Sequence, residues 1–386
     1  MAATNLHAPA VVLGGGVIGL AVFRALAASP FFPNPVLLEK SKSLGQETSS
    51  RNSGVVHSGI YHPEKMLKGS LARRGRDMLY EYCKEKSVNH KRCGKIVVAR
   101  DKREMAFVRK LHKSAANLGV PSPELLESPE AVKEYEPNVS SVGGVRFSSS
   151  GVVDVPDLML KLQADAEENG GVALVNSKPI ALKRADRLVE GGEGGWILTV
   201  LQGEEVYSIQ SKVIVNCCGH SAPEVYASLG LVSAPIVPPR HYFARGNYFK
   251  LSASQSSVVN GLVYPVPNKD LSGLGIHATV DLDGSVKFGP DVEWLKHIEM
   301  LKPKFQAAIE NYLPELSSFG ALAYDYSGVR PKLTHPDAGG SDFNGGSDFW
   351  IQQDSAGFYN LFGIESPGVT SSLAIAEKVV QMAEKR

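Results

Sequence analysis

Apolar residues along the chain fall into short runs closed by glycine and into longer stretches with a helical period. Val11-Val12-Leu13 is a run of the kind that forms a buried strand, and it enters Gly14-Gly15-Gly16-Val17-Ile18-Gly19. A helical pattern follows, and a second run, Val36-Leu37-Leu38, ends at Glu39 and Lys40. Strand, glycine turn, helix, strand and acid together predict a βαβ dinucleotide unit. Gly14 permits the tight turn, Gly16 lets a pyrophosphate approach the backbone, and Gly19 lets the helix pack on the strand. The helix N-terminus, with Val17 and Ile18 in its first turn, offers unpaired N–H groups and a positive dipole end to phosphates. Glu39, about 20 residues past Gly19, is placed to accept hydrogen bonds from ribose hydroxyls. A glycine-rich turn in an ordinary α/β protein is the competing reading.

The same periodicities predict helices over 67–86, 102–118, 158–168 and 371–383, and strands over 96–99, 172–175, 196–200 and 212–215. The strand ending at Val215 runs into Asn216-Cys217-Cys218-Gly219, which brings Cys217 and Gly219 toward the same crevice. From about Ser233 prolines and aromatic–polar alternation suggest mixed antiparallel sheet, with Asp281 to Gly284 as a hairpin turn. Residues 293–312 read as mostly helical, and the glycine–serine stretch 339–347 as a surface loop. A last apolar strand, Tyr359 to Phe362, leads into Gly363-Ile364-Glu365-Ser366-Pro367-Gly368 and a closing helix. Nucleotide-type elements at both ends, with sheet between, predict an α/β fold with an α+β second domain. A Rossmann-like domain is interleaved with an antiparallel-sheet domain.

Composition narrows the function classes. Hydrophobic content of 43%, charged content of 21% and a net charge of +1 are those of an ordinary globular chain. No basic block argues for nucleic acid. No apolar run approaches the ~20 residues of a spanning helix, which leaves peripheral membrane association open. The four cysteines, Cys83, Cys93, Cys217 and Cys218, have neither disulfide nor metal spacing and suit a reducing compartment. The first ten residues carry no export or Arg-rich presequence pattern, which fits a cytoplasmic protein or a chain whose presequence is not included.

Beyond the glycine turn, four separated segments resemble one family. They are SSRNSGVVHSGIYHPEKMLKGSLARRG from Ser49, YPVPNKDLSGLGIHATVDLDGSVKFGPD from Tyr264, SGVRPKL from Ser327 and NLFGIESPGVTSSLAIA from Asn360. Together they resemble the L-2-hydroxyglutarate dehydrogenase (oxidase) family of FAD-dependent oxidoreductases, in the D-amino acid oxidase-like superfamily. The resemblance implies FAD, held non-covalently, since no cysteine stands where some relatives tether flavin. It implies hydride transfer from a small dicarboxylate, L-2-hydroxyglutarate, to flavin N5, yielding 2-oxoglutarate. Electrons would pass to a quinone or an electron-transfer flavoprotein, with oxygen as a further acceptor. In a eukaryote it implies a mitochondrial location. The alternative is an amine or amino acid oxidase of the glycine, sarcosine or D-amino acid type. The FAD-binding domain is then expected over 8–92, 150–228 and 325–386, and the substrate-binding domain over 93–149 and 229–324.

The resemblance also sorts the candidate site residues. Ser50, Arg51, Asn52 and Ser53 would contact the flavin; the alternative is a serine-rich loop. His57 would accept the proton of the substrate hydroxyl, or be a structural histidine or flavin anchor. Arg330 would clamp a carboxylate or the flavin by its two-pronged guanidinium. His277 is a second candidate base, or a satisfied core histidine. Tyr61, Lys68, Arg245 and Tyr264 are pocket candidates, with Lys68 or Arg245 as the second cation a dicarboxylate needs. Gly363, Ser366, Pro367, Gly368, Val369 and Thr370 precede a helix whose N–H groups would stabilise negative charge on the flavin. Glu365 is out of place beside that locus and is expected to point away. Pro179 falls where relatives offer a backbone N–H to the adenine, and proline has none.

Overall fold

A computed structural model describes residues 5–188, 193–229, 237–251, 258–267, 275–294, 301–334, 347–354 and 357–385. The glycine–serine stretch 339–346 lies outside them.

The first apolar runs form the centre of a six-stranded sheet. Its order is Val172–Leu174, Val36–Leu38, Ala10–Leu13, Val213–Asn216, Phe358–Phe362 and Trp350–Gln353. All pairs are parallel except the last, which is antiparallel. Strands buried on both faces read as continuous apolar runs rather than as alternation, and Ala10, Val11, Val12 and Leu13 are all fully buried. On one face pack the helices Val17–Ala27, Leu67–Glu85, Val155–Glu168 and Gly368–Glu384, which share a core of Leu20, Phe23, Leu79, Leu162 and Ile375. The other face is covered by a four-stranded sheet, Asn5–His7, Glu205–Ser211, Glu193–Gln202 and Ser177–Arg187, through Trp196, Leu198 and Ile209.

A nine-stranded sheet forms the second layer system. Tyr242–Leu251 pairs along its whole length with Leu322–Lys332, and also with Val286–Gly289. His277–Val280 and Leu262–Pro265 continue the sheet to Lys95–Ala99, which joins Leu262–Pro265 as the parallel pair in an otherwise antiparallel array. The expected domain boundary at residue 325 falls inside the Leu322–Lys332 strand. Asp281–Gly284 turns the hairpin between His277–Val280 and Val286–Gly289.

The stretch expected to be helical from 293 begins differently. Glu293–Trp294 is a short strand against Ala244 and Arg245, and the helix is Leu301–Glu310. The closing helix starts at Gly368, three residues earlier than its periodicity indicates, because Gly368, Val369 and Thr370 carry no distinctive apolar stripe. Five segments thus converge on one crevice: the ends of Ala10–Leu13 and Val213–Asn216, the short strand Val55–Val56, the strand Leu322–Lys332 and the loop 363–367.

Candidate active site

At this convergence lies a cleft of about 580 Å³. Its nucleotide end is built by the glycine turn. Gly14 has φ +101°, a conformation that favours glycine, and a Cβ there would come within 2.7 Å of the Cys217 carbonyl oxygen. A Cβ at Gly16 would lie 2.9 Å from Ser49 Oγ. Ser49 Oγ accepts from Val17 N–H at 2.9 Å, so the bare backbone of Gly16 faces the cleft beneath a polar roof. Glu39 Oε2 accepts from Gly15 N–H at 2.8 Å and Oε1 from Ser41 N–H at 2.8 Å. Those two bonds fix the carboxylate at the strand end, where its remaining lone pairs can meet a ribose. This cradle fits an ADP moiety: glycine backbone, a helix N-terminus, a serine hydroxyl above it and a fixed acid.

Of the expected cofactor residues, Gly14, Gly16, Val17, Ile18, Glu39, Lys40, Arg51, Asn52, Ser53, Cys217 and Gly219 line the cleft, as do Arg330 and the run Ser366 to Thr370. Gly19, Ser50 and Gly363 do not. Gly19 faces the Gly14 carbonyl, so its part is helix-to-strand packing. Ser50 is exposed and donates to the Glu47 carbonyl at 3.0 Å. Gly363 has φ +64° and donates its N–H to His241 Nε2 at 3.3 Å. Pro179 lines the cleft, so the backbone there presents no donor. Ser49, which opens the polar stretch read as cofactor-contacting, lines it as well, and so do Thr48 and Lys332, which the sequence did not point to.

The chemical end holds two histidines of different character. His57 follows the Val55–Val56 strand. Its N–H donates to Thr370 Oγ1 at 3.0 Å, and Thr370 Oγ1 donates to the Val55 carbonyl at 3.2 Å. These bonds tie the histidine to the closing helix. Its Nδ1 is 3.3 Å from Lys95 Nζ and its Nε2 is 3.5 Å from Ser366 Oγ. Burial, with Lys95, His277 and His62 nearby, holds its pKa well below the usual range. His277 lies 5% exposed on its strand. Its Nδ1 is 2.9 Å from the Gly275 carbonyl, which makes Nδ1 the protonated nitrogen and leaves Nε2 as an acceptor. Its ring stacks on Tyr264 at 3.8 Å and 17°. Burial takes its pKa down to about 3.

Arg330 completes this end. A Cβ at Gly246, on the neighbouring strand, would lie 2.5 Å from its Nη2, so glycine there makes room for the guanidinium. Among the described residues no carboxylate or other acceptor holds that guanidinium. Tyr264 is fully buried, lines the cleft, and its hydroxyl has no hydrogen-bond partner among the described residues. A free fork and an orphaned hydroxyl in one cleft fit an anionic ligand with more than one oxygen. Tyr61 lines the same wall.

The two cations expected to partner Arg330 are elsewhere. Arg245 Nη2 pairs with Glu293 Oε2 at 2.6 Å and does not line the cleft. Lys68 Nζ is buried against Glu365 Oε1 at 2.9 Å. Glu365 Oε2 also holds Lys332 Nζ at 3.0 Å. Burial pushes the Glu365 carboxyl up, but Lys332 and Lys68 outweigh it and hold it down to about 2. Among the described residues there is no cluster of metal-ligating side chains, and no helix is long and apolar enough to cross a membrane.

A parallel sheet with a glycine-lined cradle, joined through one cleft to two buried histidines and an open guanidinium, is the arrangement of a flavoprotein oxidoreductase. The chain belongs to the FAD dependent oxidoreductase (DAO) family, which matches residues 10–382, and its cofactor is FAD. Within that class it falls with the L-2-hydroxyglutarate dehydrogenases. It is 35% identical over 408 residues to the mitochondrial L-2-hydroxyglutarate dehydrogenase of Arabidopsis thaliana, covering 96% of this chain and 82% of that protein. It is 30% identical over 283 residues to the L-2-hydroxyglutarate dehydrogenase of Escherichia coli K12, covering 73% and 63%. In fold it is similar to L-alpha-glycerophosphate oxidase from Mycoplasma pneumoniae, solved with FAD bound, at TM-score 0.82 and 22% identity over 98% and 95% of the two chains. Glycine oxidase from Geobacillus kaustophilus gives TM-score 0.77 at 16% identity over 99% and 95%.

Proposed function

We propose that this protein oxidises L-2-hydroxyglutarate to 2-oxoglutarate. The observation that carries the reading is the open Arg330 guanidinium beside two neutral histidines and the unpartnered Tyr264 hydroxyl, in a chain related throughout its length to L-2-hydroxyglutarate dehydrogenases. FAD, when bound, supplies the oxidant that takes the hydride from the substrate carbon. Gly14, Gly16, the first turn of Val17–Ala27 and Glu39 would hold its ADP part. The N-terminus of Gly368–Glu384, backed by the Lys68–Glu365–Lys332 triad, would hold its electron-rich end.

The chain's own residues do the rest. Arg330 grips the carboxylate next to the reacting carbon by two parallel hydrogen bonds. The Tyr264 hydroxyl donates to the second carboxylate. Since Lys68 and Arg245 are committed to Glu365 and Glu293, that end of the substrate is met by a neutral donor rather than a second ion pair. His57 takes the hydroxyl proton at Nε2. With its pKa about 3, His277 is a weak base at neutral pH, so the proton goes to His57, and the His277 ring stacks on Tyr264 and positions that side chain. The electrons then leave to a quinone or an electron-transfer flavoprotein, in the compartment named for the eukaryotic relatives, the mitochondrion.

The visible spectrum tests this. Purified protein should show an oxidised-flavin spectrum that bleaches on anaerobic addition of L-2-hydroxyglutarate and not of its D-isomer or glycine. Bleaching by glycine or sarcosine instead would reassign the site to amine oxidation. Re-oxidation by a soluble quinone faster than by air would support the acceptor.

A further inference from the structure

Lys95 opens the strand Lys95–Ala99, all of whose residues are buried, and is itself 1% exposed. Its Nζ stands 3.3 Å from His57 Nδ1, 4.1 Å from the Tyr264 ring centroid and 5.7 Å from that of Tyr61. The titratable groups around it come from several elements. His57, Tyr61 and His62 come from the chain after Val55–Val56, Tyr264 from Leu262–Pro265 and His277 from its own strand. Cys93 precedes Lys95, and Glu136 and Arg146 join it around a small separate cavity. Among the described residues no carboxylate lies within ion-pairing distance of it. A buried lysine with a histidine and no acid for a partner is a group that structure alone does not require.

We propose that Lys95 is the terminal proton acceptor of the reaction, a positioning residue that sets the tautomer of His57 and receives its proton. The inference rests on the reading of the reaction as oxidation of a hydroxy acid.

Two nitrogens 3.3 Å apart share one hydrogen, and its position decides what His57 can do. A charged Lys95 donates to Nδ1, so a neutral His57 carries its own proton on Nε2 and has nothing to offer a substrate hydroxyl. A neutral Lys95 accepts from Nδ1–H, and the Nε2 lone pair is then free on the cleft side, where Ser366 Oγ sits. Only the second arrangement is a general base. Burial takes Lys95 down to about 7, so both arrangements are reached near neutral pH. In the reaction the substrate O–H bond breaks and its proton goes to Nε2. The Nδ1 proton passes to Nζ. The C–H hydrogen leaves with its electron pair to FAD, and the C=O bond forms. The positive charge ends on Lys95, over the faces of Tyr264 and Tyr61, and not on the imidazole.

The test is a 15N side-chain spectrum of the histidine-labelled holoenzyme, titrated from pH 6 to 9 without substrate, with His57 assigned by its loss in H57N. His57 should change from the Nε2–H to the Nδ1–H tautomer with a midpoint near pH 7. K95M should abolish the midpoint, and K95R, charged at every pH, should hold Nε2–H throughout. In turnover, kcat for L-2-hydroxyglutarate should rise through the same midpoint. K95M should lose that limb and about 10²-fold in rate, and K95R should do no better than K95M. A purely structural lysine predicts the reverse order, with arginine rescuing. One unchanged tautomer across the range, the same midpoint in K95M, or full activity in K95R would overturn the proposal. The wild-type titration stays decisive if a variant does not fold. A tautomer switch in a protein inert toward L-2-hydroxyglutarate would support the relay and sink the substrate reading.

Discussion

Arg330 owes its freedom to a glycine on the next strand. Gly246 leaves space for the guanidinium, and no acidic side chain among the described residues claims it. Removing it should therefore cost transition-state binding and little stability. Arg330→Ala is expected to lower kcat/KM by roughly 10–10²-fold, the worth of about 1.5–3 kcal/mol for a charged hydrogen-bond partner. Steady-state kinetics checks this, and an unchanged kcat/KM would remove Arg330 from the substrate. Lys95 shows the opposite balance, a functional group held at a cost. Its folded pKa of about 7 lies below its ordinary value of ~10.4. Between those values the unfolded chain binds more protons than the folded one, so stability rises with pH across that window. K95M should melt at a higher temperature than the wild type at pH 7, with the gap closing toward pH 10. Thermal melts at both pH values decide it, and an equal gap at the two would contradict the assignment.

Elements hold the site through long-range ties. Asp348 caps the helix Leu67–Glu85 from far along the chain: its Oδ2 accepts from Leu67 N–H at 2.7 Å and its Oδ1 from Lys68 N–H at 2.8 Å. Glu365 then joins that helix, through Lys68, to the strand Leu322–Lys332, through Lys332. Breaking a buried network from its centre costs more than trimming an arm, because it strands two charges rather than none. Glu365→Gln should destabilise by about 3–5 kcal/mol, and Lys68→Met, which leaves Glu365 paired with Lys332, by clearly less; urea unfolding ranks them. Since the Glu365 pKa is depressed to about 2, its contribution is complete above the unfolded value of ~4.3. It is lost as pH falls from there toward 2, so the gap between wild type and E365Q should narrow in acid. These ties also explain what was legible in the chain. Gly14 to Glu39 could be read because its parts are local and each has one physical task. Arg330 and His57 stood in recognisable segments. Lys68 and Arg245 looked like free cations because a sequence does not show that Glu365, 297 residues away, or Glu293, 48 residues away, would claim them. Lys95 was passed over as the polar flank of Ile96–Ala99, since a lysine at a strand end normally lies in water.

At the scale of the molecule, the cleft joins two sheets that meet across the glycine turn and the loop 363–367. Occupancy by FAD should therefore report on the whole fold. Added FAD is expected to raise the melting temperature of the deflavinated protein by several degrees, since a ligand at 100 times its Kd adds about 2.7 kcal/mol. Gly16→Val, whose side chain would fill the space under Ser49, should fold but show no such rise. A full thermal response in that variant would move the pyrophosphate away from the turn. The architecture itself was visible as a Rossmann-like sheet joined to an antiparallel one. Leu322–Lys332 carries both Arg330, which lines the cleft, and a pairing with Tyr242–Leu251, so one strand serves the site and the second sheet together.

The parallel sheet has one further consequence, for biosynthesis. Ala10–Leu13 leaves the ribosome about 200 residues ahead of its neighbour Val213–Asn216. Phe358–Phe362, which pairs with Val213–Asn216, and the helix Gly368–Glu384, which covers Val17–Ala27, follow well over 100 residues later still. At translation speeds of about 5–20 residues per second, the face of the first helix that packs on Gly368–Glu384 waits roughly tens of seconds for that partner. Until those segments are made, apolar surface that the finished fold buries stays exposed on the nascent polypeptide, the kind of surface that holding chaperones recognise.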